Sequence, residues 1–376
     1  MATTQPWGRA AQPLSSEPPK SDGGSVEPFV FTGTTREYFG IWIVNILLTI
    51  VTFGIYSAWA KVRRLRYFYG NTHLAESSFD YHAQPLQILI GRIIVLVVLM
   101  VYNIVLNVVP PAGLVLVPLF VLALPWFVMR GLRFNARVTS FRNVRFDFNG
   151  GYWGAFRAYV LGGAVTWLTL GILAPVASRW MWRYMLANTT YGGRPITSDP
   201  ALRKLYGQWL LPAVILLATI VVLGLSALAL GSALYALYED VSTGTNDADA
   251  VIVAILQVLT TSFLPFIVIL AIVTLIYRAG TRNVALNATV VDGRHRFRSA
   301  IHRGRFTWIT VTNLIATVLS LGLARPWAAI RMAKFLAAAT ALEVSGSLDD
   351  YLGDVQDTGS AVGAEYMDVE GFDFGF

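Results

Sequence analysis

Residues 52–72, TFGIYSAWAKVRRLRYFYGNT, recur without a gap as TLGILAPVASRWMWRYMLANT at 169–189 and as SLGLARPWAAIRMAKFLAAAT at 320–340. The alignment places Gly54, Gly171 and Gly322 in register, then Arg66, Arg183 and Lys334, then Tyr67, Tyr184 and Phe335. Asn71–Thr72 matches Asn188–Thr189, and upstream Phe31 and Gly33 match Phe148 and Gly150 at the same offset. An internal repeat sets architecture before any single residue does. It sets no chemical activity.

Composition gives the class. The chain is 55% hydrophobic and only 14% charged, with a mean hydropathy of +0.56, far from the averages of soluble domains. The runs 86–109, 112–129, 209–237 and 251–277 each approach or exceed the roughly 20 apolar residues that cross a bilayer. No cysteine is present, which removes disulfides, thiolate nucleophiles and Cys-based metal sites. Residues 1–28 are rich in Pro, Ser and Gly and lack an apolar core, so a disordered tail is expected rather than a signal peptide. Residues 346–376 read as an acidic flexible tail, with eight Asp and Glu from Asp349 onward and no Lys or Arg.

Charge placement predicts topology. Val108–Gly113 and Tyr238–Ala250 hold none of the 29 Lys and Arg. Basic residues crowd instead into Lys61–Arg66, Arg130–Arg157, Arg179–Lys204 and Arg278–Arg305. The positive-inside rule puts those regions and both termini in the cytoplasm and the two uncharged or acidic loops outside. The four strong runs then make two transmembrane hairpins. The apolar parts of the second and third copies have basic flanks on both sides, so a single span in each would spread the charge evenly over both faces. A turn within each copy keeps every basic region on one side. The three glycines suit a left-handed helix end, and Pro175 and Pro326, four residues later, suit a helix start. The residues favour a broken or re-entrant helical hairpin in each copy over a plain span.

The second arm of each hairpin carries a stripe. Trp59, Arg63, Arg66 and Tyr67 lie at i, i+4, i+7 and i+8, and Trp327, Arg331, Lys334 and Phe335 repeat them; the second copy keeps only Arg183 and Tyr184. Aromatic and basic residues on one face serve as membrane-interface anchors or hold an anionic headgroup or ligand. Short polar segments such as Ser78–Tyr81, Arg145–Phe148, Phe29–Phe31 and Asn287–Val291 read as cytoplasmic strands; the residues leave open whether they pair with one another.

FVFTGTTREYF at 29–39, LLTIVTFGIYSAWAKVRRLRY at 47–67, RFDFNG at 145–150 and DGRHRFRS at 292–299 resemble the YjgN family of bacterial inner-membrane proteins. The resemblance runs from about Phe29 to about Asp350 and leaves the acidic tail unmatched. It implies a multi-pass protein of the cytoplasmic membrane. The family is a domain of unknown function and carries over no catalytic or binding residue.

Catalytic constellations are thin. His73, His82, His295 and His302 lie beside basic segments without carboxylates at ligand spacing, and there is no HExxH, P-loop or GxSxG. No enzyme activity, metal or cofactor is expected. The expected fold is an all-α polytopic membrane protein: three Gly-broken hairpins, two ordinary transmembrane hairpins and short cytoplasmic β segments. Repeat units are expected at 29–134, 135–280 and 281–345, between the two tails. The expected function is a transporter or channel-like protein for a small or amphipathic solute, with a lipid-binding or scaffold protein as the alternative. Intramembrane Asp and Glu, the usual proton or cation path, are absent from the runs. Expected partners are anionic lipids and either a second copy or another protein; a membrane protease is suggested by the resemblance alone, and nucleic acid is not expected.

If Gly54, Gly171 and Gly322 close helices in the left-handed region, Gly171→Val should cost on the order of 1 kcal/mol and lower the melting temperature in detergent. Unchanged melting for Val at all three sites would instead favour a helix running straight through.

Overall fold

The computed structural model describes residues 24–242 and 264–346, with 252, 253 and 256 between them. The first 23 residues, most of the acidic loop and the tail from 347 onward lie outside the described residues.

Chain order is simple. Strand β1 (Gly24–Phe31) leads into α1 (Thr35–Val51) and α2 (Ser57–Gly70), which return to β2 (Thr72–Leu74). Strand β3 (Ser77–Tyr81) leads through α3 (Pro85–Val108) and α4 (Gly113–Arg137) to β4 (Thr139–Phe141). After β5 (Val144–Phe148) come α5 (Tyr152–Ala155), a π-helical stretch (Phe156–Leu161), α6 (Gly162–Leu168) and α7 (Ala174–Ala187), then β6 (Thr189–Tyr191). Strand β7 (Arg194–Ser198) precedes α8 (Leu202–Ser242) and α9 (Leu264–Asn287), which end in β8 (Thr289–Val291). Finally β9 (His295–Ser299) leads through α10 (Arg303–Leu319) and α11 (Arg325–Ala338) to β10 (Thr340–Ser345). Strand β1 begins at Gly24, inside the segment expected to be a tail.

The expected all-α class is overturned. The ten strands form a closed antiparallel barrel in the order β1-β10-β9-β8-β7-β6-β5-β4-β3-β2, with β2 pairing back onto β1. Strands of three to five residues carry almost no alternation signal of their own, and the barrel closes through β1 and β10, at opposite ends of the chain (Gly24↔Ser345, Pro28↔Ala341). Because neighbours are antiparallel, every helical excursion leaves and returns at one rim. The tight turns occupy the other. Helices α3 and α4, together with the first part of α8 and α9, are the four long enough and apolar enough to cross a membrane.

The register reveals five equivalent units rather than three. Phe29↔Leu74, Phe79↔Phe141, Phe146↔Tyr191, Ile196↔Val291 and Phe297↔Leu342 pair in one tier. One tier nearer the helices, Phe31, Tyr81, Phe148, Ser198 and Ser299 face Thr72, Thr139, Thr189, Thr289 and Thr340. The first tier, with Val144 and Val344, packs into one cluster to which all ten strands contribute. Ten strands enclose a wider lumen than the eight that aliphatic side chains can fill, and rings supply the extra volume. Phe79 and Phe141 lie 4.7 Å apart and Phe146 and Tyr191 4.9 Å, while the Tyr191 hydroxyl donates to the Phe141 carbonyl at 2.9 Å. Each threonine of the second tier donates its hydroxyl to the carbonyl four residues back, at 2.7–2.8 Å, closing the last helical turn where the strand begins.

The broken hairpins turn on two consecutive left-handed residues. Gly54, Gly171 and Gly322 have φ of 92°, 87° and 94°, and Phe53, Leu170 and Leu321 just before them have 51°, 50° and 52°. A hydroxyl two residues before each glycine closes the turn onto the residue that precedes the next helix: Thr52, Thr169 and Ser320 accept from the N–H of Tyr56, Leu173 and Ala324 at 2.9, 3.1 and 2.8 Å. A Cβ at any of the three glycines would meet nothing within 4 Å, so the demand there is on φ and not on space.

Three of the barrel turns are two-residue turns with both φ positive: Ala75–Glu76, Arg142–Asn143 and Gly192–Gly193. That is the type I′ geometry, which prefers Asn-Gly. Glu76 sits at φ 63° without glycine's freedom. Glu76→Gly should therefore raise the melting temperature, by an amount equivalent to as much as about 1 kcal/mol after the larger entropy of the unfolded chain is deducted. Gly193→Val, at φ 79°, should lower it by about 1–2 kcal/mol.

Candidate functional site

The rim where helices meet strands gathers most of the charged and aromatic residues singled out in the sequence. Each second helix leans on the first strand of the next unit: α2 on β3, α4 on β5, α7 on β7, α9 on β9 and α11 on β1. One helical position recurs in every unit, six residues before the second-tier threonine: Arg66, Arg133, Arg183, Asn283 and Lys334. Arg66 Nε donates to the Tyr81 carbonyl at 3.2 Å, Arg133 Nε to that of Phe148 at 3.2 Å, and Asn283 Nδ2 to that of Ile301 at 2.8 Å. These side chains satisfy carbonyls where the strand ends and join one unit to the next. Lys334 is exposed, and Arg183 reaches Asp199 at only 3.9 Å.

The stripe residues divide by unit. The Tyr67 hydroxyl accepts the Thr34 N–H at 2.8 Å and lies 3.0 Å from both the Thr34 carbonyl and Glu37 Oε2, so it ties α2 to the start of α1. The Tyr184 hydroxyl donates to the Gly151 carbonyl at 3.1 Å. These rings require glycine beneath them: a Cβ on Gly33 would lie 2.7 Å from the Phe31 ring, and one on Gly150 2.4 Å from the Phe148 ring and 2.8 Å from the Tyr184 hydroxyl. Trp59 stacks on Tyr56 and packs on the Ala58–Val62 cluster, while Arg63 is exposed. Arg331 lies 5.1 Å over the Trp327 ring and donates to Thr312 Oγ1 and Asn313 Oδ1 at 2.8 and 3.1 Å. Trp59, Arg66 and Tyr67 therefore reach different neighbours.

Two features escaped the sequence. Arg92, in α3, donates to Ser57 Oγ at the start of α2, linking a spanning helix to a broken hairpin. The second is an open cavity of about 270 Å³ at the base of the third unit, lined by Gly151, Gly154, Arg157, Arg183, Tyr184 and Asn188. Arg157 stands in the π-helical stretch, 6.0 Å from the Trp180 ring. The histidines have local partners: His73 with Thr32 at 3.2 Å, His82 with Ser140 at 2.8 Å, His302 capping α10 through Arg305 N–H, and His295 buried behind Ser345.

A filled barrel from one rim of which five helical excursions rise, two of them carrying the four helices long and apolar enough to cross a membrane, points to a membrane protein. The chain belongs to the family described as "Bacterial protein of unknown function (DUF898)", which it matches over residues 26–369. It is similar to the inner membrane protein YjgN of Salmonella typhimurium (strain LT2), 28% identical over 362 residues that cover 85% of this chain and 89% of that one. YjgN of Escherichia coli K12 is 37% identical over 131 residues, 33% of this chain and 32% of that one, and YjgN of strain O157:H7 is 36% identical over 135 residues, 34% and 33%. No solved structure matches.

Tyr67→Phe strands the Thr34 N–H and should cost about 1–2 kcal/mol. Tyr184→Phe removes only a donor to a carbonyl and should cost about 0.5–1 kcal/mol. Chemical or thermal melts of the two variants in one detergent will rank them.

Proposed function

We propose that this is a multi-pass protein of the bacterial cytoplasmic membrane that acts as a lipid-binding scaffold, its barrel on the cytoplasmic side. One observation carries the choice of scaffold over transporter or channel: side chains from all ten strands fill the barrel lumen, so the rim at which every excursion converges offers a solute no axial route through the described residues. The relatives named above, as inner membrane proteins, support the compartment. The basic rim supports the orientation, since Arg63, Arg133, Arg183, Arg203, Lys204 and Lys334 all lie on helices near the barrel and anionic headgroups attract each such charge by about 1 kcal/mol.

The hairpin tips support shallow insertion. Phe53, Leu170 and Leu321 are 98, 91 and 95% exposed, and three apolar side chains at matching turns lose least free energy in an acyl layer. Arg325, three residues past Gly322, keeps the third tip near headgroup depth, where its guanidinium stays solvated. In this reading the spans anchor, the tips wedge, and the filled barrel holds both in register.

Three measurements test the proposal. Proteoliposomes should release entrapped glycerol or small ions no faster than protein-free vesicles, and the purified protein should carry phosphatidylglycerol or cardiolipin in excess of its share of the source membrane. Protein-dependent efflux, or retained lipid in bulk proportion, would overturn the scaffold reading. On this cysteine-free chain, Glu76→Cys in the barrel turn should react only from the cytoplasm and Leu114→Cys at the start of α4 only from outside; reversed labelling would invert the topology.

A further inference from the structure

The three broken-hairpin units share a position-by-position frame, and the cavity in one of them is a departure from it. Counting from the hairpin glycines, Thr34, Gly151 and His302 coincide, as do Glu37, Gly154 and Arg305, and then Gly40, Arg157 and Trp308. In the first unit the place beside the tyrosine is taken by Glu37, bonded to the Tyr67 hydroxyl at 3.0 Å, with Thr34 capping the helix. In the last it is taken by Arg305, whose guanidinium lies 5.9 Å over the Phe335 ring, with His302 as the cap. In the third unit both side chains are replaced by glycine. A Cβ at Gly154 would fall 2.6 Å from Tyr184 Cε2, so the ring lies against the bare backbone and the remaining volume stays open.

The charges that line this volume are unbalanced. Arg157 and Arg183 both border it, and no Asp or Glu does. Asp199, with which Arg183 makes a long ion pair at 3.9 Å, is gripped more closely by Arg179 through Nη2 at 2.9 and 3.2 Å and Nε at 3.2 Å. Arg157 occupies a helix whose backbone has changed to π geometry over Phe156–Leu161, a local irregularity that is frequent at functional sites. Tyr184, whose hydroxyl donates to the Gly151 carbonyl, and Asn188, whose amide donates to the Tyr184 carbonyl, complete the wall, and Trp153, 75% exposed on the turn before Arg157, supplies an interfacial ring.

We propose that this cavity binds one phosphate ester, held between the guanidinium groups of Arg157 and Arg183. Paired arginines match the planar, multi-oxygen face of a phosphate. At about 270 Å³ the cavity lies just below the usual range for ligand pockets and suits a headgroup rather than a whole lipid. The placement at the membrane rim makes a phospholipid headgroup the first source to test, and to that extent the inference rests on the scaffold reading. A soluble phosphomonoester would present the same chemistry.

The test compares full-length wild type with the double variant Arg157→Gln/Arg183→Gln and with Arg145→Gln/Arg296→Gln, which removes equal charge from exposed positions on the barrel strands, outside the cavity. In nanodiscs containing phosphatidylglycerol, native mass spectrometry should show that the cavity variant loses its most tightly held lipid, with affinity lower by about tenfold or more, while the control keeps it. Titration of detergent-solubilised protein with glycerol phosphate forms the second arm: binding by wild type and not by the cavity variant assigns the site to a soluble ester and still supports it. Equal losses in both variants with no glycerol phosphate binding would overturn the site and leave the scaffold reading standing. Failure of wild type to retain any anionic lipid would remove the scaffold reading, and the site as well unless glycerol phosphate binds. Gly154→Glu, which reinstates the carboxylate of the first unit, should abolish binding in whichever arm is positive; retained binding there would also overturn the proposal.

Discussion

Ring closure is the constraint on which this molecule depends. None of strands β2–β9 exceeds five residues, and a short isolated hairpin is marginal in water. Closing ten of them into a barrel pairs every strand on both sides and leaves no edge. The closure falls to β1 and β10, brought together from the two ends of the described chain. Once the ring exists, each helical excursion must begin and end on adjacent strand ends, so two very different kinds of excursion, broken hairpins and full spans, stand on one rim. Side chains such as Arg66, Arg133 and Asn283 then tie each unit to the next through strand-end carbonyls.

A barrel of this width has to be filled or it becomes a channel. Phe29, Phe79, Phe146 and Phe297, with Phe141 and Tyr191, supply bulk where aliphatic residues would leave voids. That packing makes the barrel a filled base and moves attention to the rim. There the three related hairpins differ mainly in what occupies the place beside one aromatic ring: a carboxylate, an arginine or nothing. Chemical individuality within a repeated frame is where a ligand can be told apart from scaffolding, because the frame supplies its own controls.

Much of the rim was partly legible. Arg183 and Tyr184 could be named from their register with Arg66 and Tyr67. Gly154 and Arg157 could not, because their signal is a side chain missing relative to Glu37 and Arg305, and that means something only once the volume beside Tyr184 is visible. The short strands around Phe79, Phe146 and Val290 were also readable as strands. Their partners were not. The second and fourth units stayed hidden because long apolar helices separate their strands, and such helices carry a hydropathy signal rather than a residue pattern.

By itself the sequence determined what local chemistry and bulk composition can determine: a membrane protein of a recognisable family, a block at 52–72 that recurs twice, and helices that break at a glycine where φ must turn positive. Tertiary structure alone decided that ten short strands close into one barrel, that the units number five, and that the lumen is packed. The physical reason is range. A left-handed helix end or an apolar span is specified within a few residues, whereas a barrel of short strands is specified only by the sum of pairings between segments as far apart as Gly24 and Ser345, each too weak to leave a signature of its own.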